Sequence, residues 1–546
     1  MCSHVLTAVV DNPEIVIGLV GPIGIDLSAI IGFLQDALAK VQYRSEVIHI
    51  TRVMQDVLPQ VVVDDSTYGS RYRSLIKQAD LVRRGVNNHA ALACLAISEI
   101  RRVRAKINNV GPDQPALGTA YIVRQLKREE EITLLREVYG RKFVQVSVFS
   151  DKDERRRQLI KKIKGHGTSI VEDDDAEKEA IDLIALDHNE VDDVYGQRVS
   201  DVFHLGDVFV PGEDSDSAKT VVERFVMALF GHNSISPTKS EYGMYAAAGA
   251  SLRSLDLSRQ IGAAIFSDGG EVITLGCNEV PKAFGGTYWC DDPGDAHRDY
   301  EEGEDGNHSR KLRLLHDLVE RLGALGYLSD KLLGAGDPGE QVNKLMSQRT
   351  ISDSRMMDII EFGRIIHAEM SAITDAARKG KALAGSIMFT TTFPCHMCAK
   401  HVVSSGIRRV VFLEPYPKSH AKDMHADSIT FSPTERDTKV LFEPFIGISP
   451  RRYRDIFEKK KRKDSDGKTV PWAQGKPIPR IEDKSPSHIA NEEPAIAIVV
   501  DNILSLDDQF VLQPKRKDRV TATSKDASSV GASARRKRPL TVNAKP

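Results

Sequence analysis

Along the first 235 positions apolar residues fall into two patterns, short unbroken runs and longer stretches in which they recur every three or four residues. IVIGLV (15–20), EVIHI (46–50), TAYIVRQLK (119–127), KFVQVSVFS (142–150) and HLGDVFV (204–210) are runs of the first kind, expected of strands covered on both faces. HAALACLAISEIRRVRAKI (89–107), REEEITLLREVYG (128–140, with Gly140 as a stop) and TVVERFVMALFG (220–231) carry helical spacing. The acidic stretch 171–193 is expected to be a solvated helix and loop. Strands alternating with helices predict an α/β domain built on a mostly parallel sheet.

A segment rich in Ser, Pro and Gly, HNSISPTKSEYG (232–243), interrupts this rhythm, and from Met244 the pattern restarts. A helix leads to IGAAIFS (261–267), the turn DGG and EVITLGCN (271–278), which together predict a β-hairpin. After a polar, acidic insertion (284–362) come IIHAEMSAITDAARKG as helix, SIMFTTTF as strand, PCHMCAKHVVSSG as helix and RRVVFLEP as strand. The expected organisation is an N-terminal parallel-sheet domain (1–235), an α/β/α domain with a mixed sheet (240–457) and a polar, basic, largely disordered tail (458–546).

The chain has 546 residues, enough for two cores. Lys+Arg 75 against Asp+Glu 77 gives a net charge of −2, so no whole-chain field favours a polyanion such as DNA. Six cysteines are too few for a disulfide scaffold and point to a reducing, cytoplasmic setting; Cys2, Cys94 and Cys290 read as ordinary thiols. Residues 15–34 are apolar enough to suggest a membrane span, but Pro22, four glycines and Asp26 interrupt them. No membrane association is expected.

GPIGIDLS (21–28) lies between the first strand and the first helix, where a phosphate-binding loop would read GxxxxGK[ST]. Gly21, Gly24 and Ser28 fit that spacing, whereas Asp26 replaces a glycine and Leu27 replaces the lysine. The region resembles the P-loop nucleoside and nucleotide kinases with a degenerate Walker A loop. Without the lysine, phosphoryl transfer is not expected, although backbone N–H groups at the following helix could still hold an anion. A glycine turn that only joins strand to helix explains the residues equally well.

The chemistry concentrates at His367, Glu369, Cys395 and Cys398. HxE followed by PCxxC is the signature of zinc nucleobase deaminases. A CxxC turn at a helix start aims both sulfurs at one point and favours their thiolate forms, and Pro394 suits that start. Three protein ligands leave the fourth tetrahedral position open for water, as catalytic zinc requires. Glu369 is placed to take a proton from that water and pass it to the base.

IIHAEMSAI, FTTTFPCHMCAKHVVSSGIRRVVF and SRQIGAAIFSDGGEVITLGCNEVPKAFGG resemble the deoxycytidylate deaminases, with HAExNAI, PCxxCAK and GxNxxP motifs. Ser371 stands where that family usually has asparagine. The resemblance implies deoxycytidine nucleotide substrates, Zn²⁺, a sugar hydroxyl bound by Asn278, and a homo-oligomer, often a hexamer. Ala368, Tyr416 and Lys418 are further substrate-binding candidates, with Arg253, Arg259 and Lys282 as weaker phosphate candidates. Joined to the kinase-like region, the whole is similar to bacterial anti-phage dCTP deaminases. That implies depletion of deoxycytidine nucleotides and an inhibitor, whether nucleotide, RNA or protein. The rivals are a nucleic-acid cytosine or adenosine deaminase using the basic tail RRKR (535–538), and a catalytically inert nucleotide- or RNA-binding regulator.

Overall fold

The computed structural model describes residues 10–57, 62–109, 111–167, 171–188, 199–293, 297–416, 419–459, 461–472, 476–481 and 485–511. Among these residues twelve strands form two six-stranded sheets. The first contains β1 (Ile15–Val20), β2 (Arg44–His49), β3 (Thr119–Arg124), β4 (Phe143–Phe149) and β5 (Val208–Pro211), all parallel, in the order β2-β3-β1-β4-β5. Alternate residues of β1 serve opposite cores. Ile15, Ile17 and Leu19 pack with Leu34 and Phe225, whereas Val16 and Val20 pack with Leu92, Ala96 and Ile132. Helices on both faces therefore account for the unbroken apolar runs.

The second sheet contains β6 (Gly262–Phe266), β7 (Val272–Cys277), β8 (Ile387–Thr392), β9 (Arg409–Glu414), β10 (Ile429–Thr430) and β11 (Val440–Pro444), in the order β7-β6-β8-β9-β11-β10. The expected hairpin β6–β7 is present, β6 also runs antiparallel to β8, and the remaining pairs are parallel.

The helix Ala368–Arg378 lies so close to β7 that no side chain fits at Gly276: a Cβ there would stand 2.2 Å from the Ala368 carbonyl oxygen and 2.5 Å from the Ala372 nitrogen. Because this helix begins at His367 and carries Glu369, strand packing sets the site's geometry. Gly276→Ala is expected to cost about 1–3 kcal/mol of stability by overpacking and to lower zinc content. Thermal unfolding and elemental analysis check both; an unchanged melting point and metal load would refute the coupling.

The two halves interlock. The sixth strand of the first sheet, β12 (Gly447–Ile448), comes from beyond the second sheet and runs antiparallel to β5. Phe203 and Phe209 share one apolar cluster with Met244, Phe389 and Phe445. The linker 232–243 ends in a capping box in which the Thr238 side chain accepts from the Glu241 N–H and Glu241 accepts from the Thr238 N–H, starting the helix Lys239–Ser251.

Several stretches differ from the sequence reading. Residues 68–86, given no element there, form the helix Tyr68–Val86, capped by the Thr67 hydroxyl. The acidic helix Asp173–His188 is not merely solvated, since Ala176, Ala180, Leu183 and Ile184 pack on Leu159 and Ile163. Within the expected disordered tail, residues 488–511 form the helix His488–Val511, docked on the N-terminal domain. Its buried face is polar as well as apolar. Glu492 is fully buried and accepts from Arg104 Nη1 and Nη2 at 2.6 Å and from the Tyr139 hydroxyl at 2.9 Å, while His488 Nε2 lies 2.8 Å from Glu14. A hydrophobicity pattern assigns those charges to the surface, and only partners nearly 400 positions away make them core residues. Residues 512–546, RRKR included, lie outside the described residues. No helix among the described residues is long and apolar enough to cross a membrane.

Candidate active site

His367 and Cys395 are the N-caps of two helices, Ala368–Arg378 and His396–Ser404, joined through β8. The Cys395 sulfur accepts from the Cys398 N–H at 3.5 Å, the turn that aims both sulfurs inward. His367 Nδ1 lies 3.3 Å from Cys395 Sγ and 3.4 Å from Cys398 Sγ, and all three ligand atoms fall within 4.8 Å of one another. Tetrahedral Zn–N and Zn–S bonds place such ligands about 3.5 Å apart, so the cluster fits zinc. Hydrogen bonding from Cys398 and His367 pulls the Cys395 thiol down to about 4, the direction a thiolate ligand needs.

Glu369 is 4% exposed and one helical residue beyond the metal cluster's Ala368 neighbour. Burial raises its pKa, and the Cys395 charge adds to the rise. Both causes favour the protonated carboxyl over the carboxylate.

One cavity collects His367, Glu369, Cys395, Asn278 and Tyr416. Backbone hydrogen bonds between Glu279 and Ile366 (3.3 and 3.1 Å) bring the end of β7 against His367, which delivers Asn278 to the cavity. Its amide is tightly committed. Asn278 Nδ2 donates to Asp256 Oδ2 (2.9 Å) and the Arg259 carbonyl (2.6 Å), and Oδ1 accepts from the Ile261 N–H (2.7 Å). Both amide hydrogens are used, so Asn278 can offer a ligand only the remaining lone pair of Oδ1.

Ala368 is fully buried in the core with Ala372 and Ala376, and Lys418 lies outside the described residues. Of the phosphate candidates, Arg259 lines the cavity and pairs with Glu414. Arg253 stacks over Trp289 at 3.4 Å from the ring centre, and Lys282 pairs with Asp292 at 2.7 Å. The sequence reading did not single out Asp256, Asp299, Asp305 and Asn307, which also line the cavity. Asp256 had a local signal, since an Asp two residues before Ser258 is an Asx-turn pattern and Asp256 Oδ1 does accept from the Ser258 N–H at 2.7 Å. Asp299, Asp305 and Asn307 belong to the insertion and had none.

The GPIGIDLS loop belongs to the other sheet, and this chain's own groups fill it. Gly24 has φ +102°, the Ile23 N–H donates to Asp187 Oδ2 (2.6 Å), and Lys127 Nζ donates to Asp187 Oδ1 (2.7 Å) and to the Gly21 carbonyl (3.2 Å). Asp26 caps the following helix by accepting from the Ser28 N–H at 3.0 Å. With a buried carboxylate and a capping carboxylate already there, ATP turnover above background is not expected. A phosphate-release assay checks this, and turnover that vanishes in Ser28→Ala would overturn it.

Residues 237–414 match the family described as the cytidine and deoxycytidylate deaminase zinc-binding region, and His367, Cys395 and Cys398 all fall inside that match. The matched part of the chain is thus similar to the zinc-binding regions of these deaminases. Deoxycytidylate deaminase of Enterobacteria phage T2 is 46% identical over 54 residues, 10% of this chain and 29% of the phage protein. A probable deoxycytidylate deaminase of Drosophila melanogaster is 33% identical over 89 residues, 16% of this chain and 36% of that protein. This chain therefore spans little more than a third, at most, of either relative's length. The crystal structure of a dCMP deaminase from cyanophage S-TIM5 with dCMP and dUMP covers 39% of this chain and 100% of its own, at 16% identity and TM-score 0.21.

Proposed function

We propose that the chain catalyses zinc-dependent hydrolytic deamination of deoxycytidine nucleotides, dCMP or dCTP, to deoxyuridine nucleotides and ammonia. The observation that carries this reading is the convergence of His367, Cys395 and Cys398 on one point, with buried Glu369 in the same cavity wall. His367, Cys395 and Cys398 would hold the zinc, which would supply the nucleophile by lowering the pKa of water to about 7. Glu369 would take one proton of that water and deliver it to the ring nitrogen beside the amine-bearing carbon, then take the second from the newly attached hydroxyl and deliver it to the departing amine. One C–O bond forms, one C–N bond breaks, and ammonia leaves. Asn278 and Tyr416 line the same cavity, where they would hold sugar and base.

The phage and fly relatives are named as deoxycytidylate deaminases, which favours the deoxynucleotide over a polynucleotide. The near-neutral net charge points the same way. Joined to the N-terminal parallel-sheet domain, such an activity would suit depletion of dCTP pools during phage infection, under control of an inhibitor. Purified protein incubated with dCMP, dCTP, CMP and cytosine-containing single strands, followed for ammonia and the uracil product, tests the proposal. Release of ammonia from the deoxynucleotides supports it. Turnover confined to single strands, or none at full zinc load, overturns it.

A further inference from the structure

The insertion does more than decorate the surface. Its Arg298 is 4% exposed and donates through Nη2 (2.7 Å) and Nε (3.2 Å) to Oε2 of Glu279, itself 1% exposed. Arg298 Nη2 also reaches the Arg253 carbonyl at 3.2 Å. A buried guanidinium–carboxylate contact is costly to separate, so the insertion is fixed at this point. The two partners flank the cavity, because Glu279 follows Asn278 and Arg298 precedes Asp299. One ion pair thereby ties together the segments that carry Asn278 and Asp299, which both line the cavity.

Asp299 is 5% exposed, and among the described residues its buried Oδ1 accepts no hydrogen bond. The nearest cation, Arg364 Nη1, stands 3.6 Å from Oδ1, beyond hydrogen-bond reach. Its neighbours in the wall differ. Asp256 accepts from Ser258 and Asn278, and Asp305 accepts from the Asn307 N–H at 2.8 Å. A buried carboxylate oxygen without a donor costs free energy until something supplies one, and burial raises the pKa of the group accordingly.

A nucleotide offers three kinds of group to this wall. The phosphate is anionic and is repelled by Asp256, Asp299 and Asp305 together. The amine edge of the base has to face Glu369 and the metal ligands for the chemistry to occur. The sugar hydroxyl remains, and it is a hydrogen-bond donor. Asn278, with both amide hydrogens committed, cannot donate to it, so a hydroxyl placed beside Asn278 acts toward it and toward Asp299 as the donor.

We infer that Asp299, supplied by the insertion, is a specificity-determining residue that accepts the hydrogen bond of the substrate's 3′-hydroxyl, beside Asn278. This rests on the proposed nucleotide substrate, and the experiment separates the two. Binding of dCMP and dCTP, each beside its 2′,3′-dideoxy analogue, is measured by calorimetry on zinc-loaded wild type, Asp299→Ala and Asp299→Asn, with turnover followed in parallel. Wild type should prefer the hydroxylated nucleotide by about tenfold or more, as expected for a hydrogen bond to a charged group. Asp299→Ala should lose that preference while binding the dideoxy analogue as wild type does, within about twofold. Asp299→Asn, whose amide oxygen still accepts, should keep part of it.

Equal weakening of both nucleotides in Asp299→Ala would show that the residue only shapes the cavity, and overturns the inference. So does a wild type that binds the pair equally or binds neither. Hydroxyl preference that depends on Asp299 in a protein with no turnover would uphold the inference and sink the deamination reading instead.

Discussion

Glu369→Gln is expected to leave a folded, zinc-loaded protein that still binds deoxycytidine nucleotide and deaminates it at least about a hundredfold more slowly. The substitution keeps shape and volume and removes only the titratable oxygen. Glu369 is 4% exposed, so an amide there meets the same packing, and the metal ligands His367, Cys395 and Cys398 are untouched. Proton transfer by a positioned side chain contributes about 10² to 10⁴ in rate, and here a single carboxyl serves both water activation and amine departure. Burial first, and the Cys395 charge second, raise its pKa, the direction that favours holding a proton between the two transfers. Kinetics on zinc-quantified protein provide the check. Loss of zinc in this variant would make Glu369 a ligand or its support, and turnover near the wild-type rate would mean that the proton travels by another route.

The metal cluster was legible in the sequence because its geometry is local. In PCHMC the first cysteine caps a helix and the second lies three residues on, so both sulfurs face one point whatever the rest of the chain does. In HAE the histidine caps the other helix and the glutamate falls in its first turn. The strands were legible for a related reason, since β1 and β4 are covered by helices on both faces and so read as unbroken apolar runs.

What escaped depends on partners distant in the chain. Glu492 and His488 look like surface residues until Arg104 and Glu14 meet them in the interior. Asp187 sits in an acidic run and reads as solvated, yet it receives Ile23, Tyr72 and Lys127 and fills the GPIGIDLS loop. Asp299 is one of several carboxylates in the acidic insertion, and the buried Arg298–Glu279 contact is what fixes it beside the cavity. Periodicity records which face of an element is buried, whereas a buried charge is defined by the group that neutralises it, and that group can lie anywhere in the sequence.

Replacing both cysteines, Cys395→Ala with Cys398→Ala, should reduce bound zinc from about one per chain to below about a tenth and abolish deamination with it. Two thiolates offset the dication's formal charge in a site where Cys395 is 6% and Cys398 1% exposed. His367 alone leaves a single imidazole, and Glu369 beside it is biased by burial toward its protonated form, which makes it a poor substitute ligand. The fold should survive. The helix Ala368–Arg378 is held on β7 by close backbone contact at Gly276, and β8 and β9 pair along five residue partners without help from either sulfur. Circular dichroism and elemental analysis on the same preparation separate metal loss from unfolding. A folded double variant that retained full zinc would place the metal elsewhere, and with it the reactive centre.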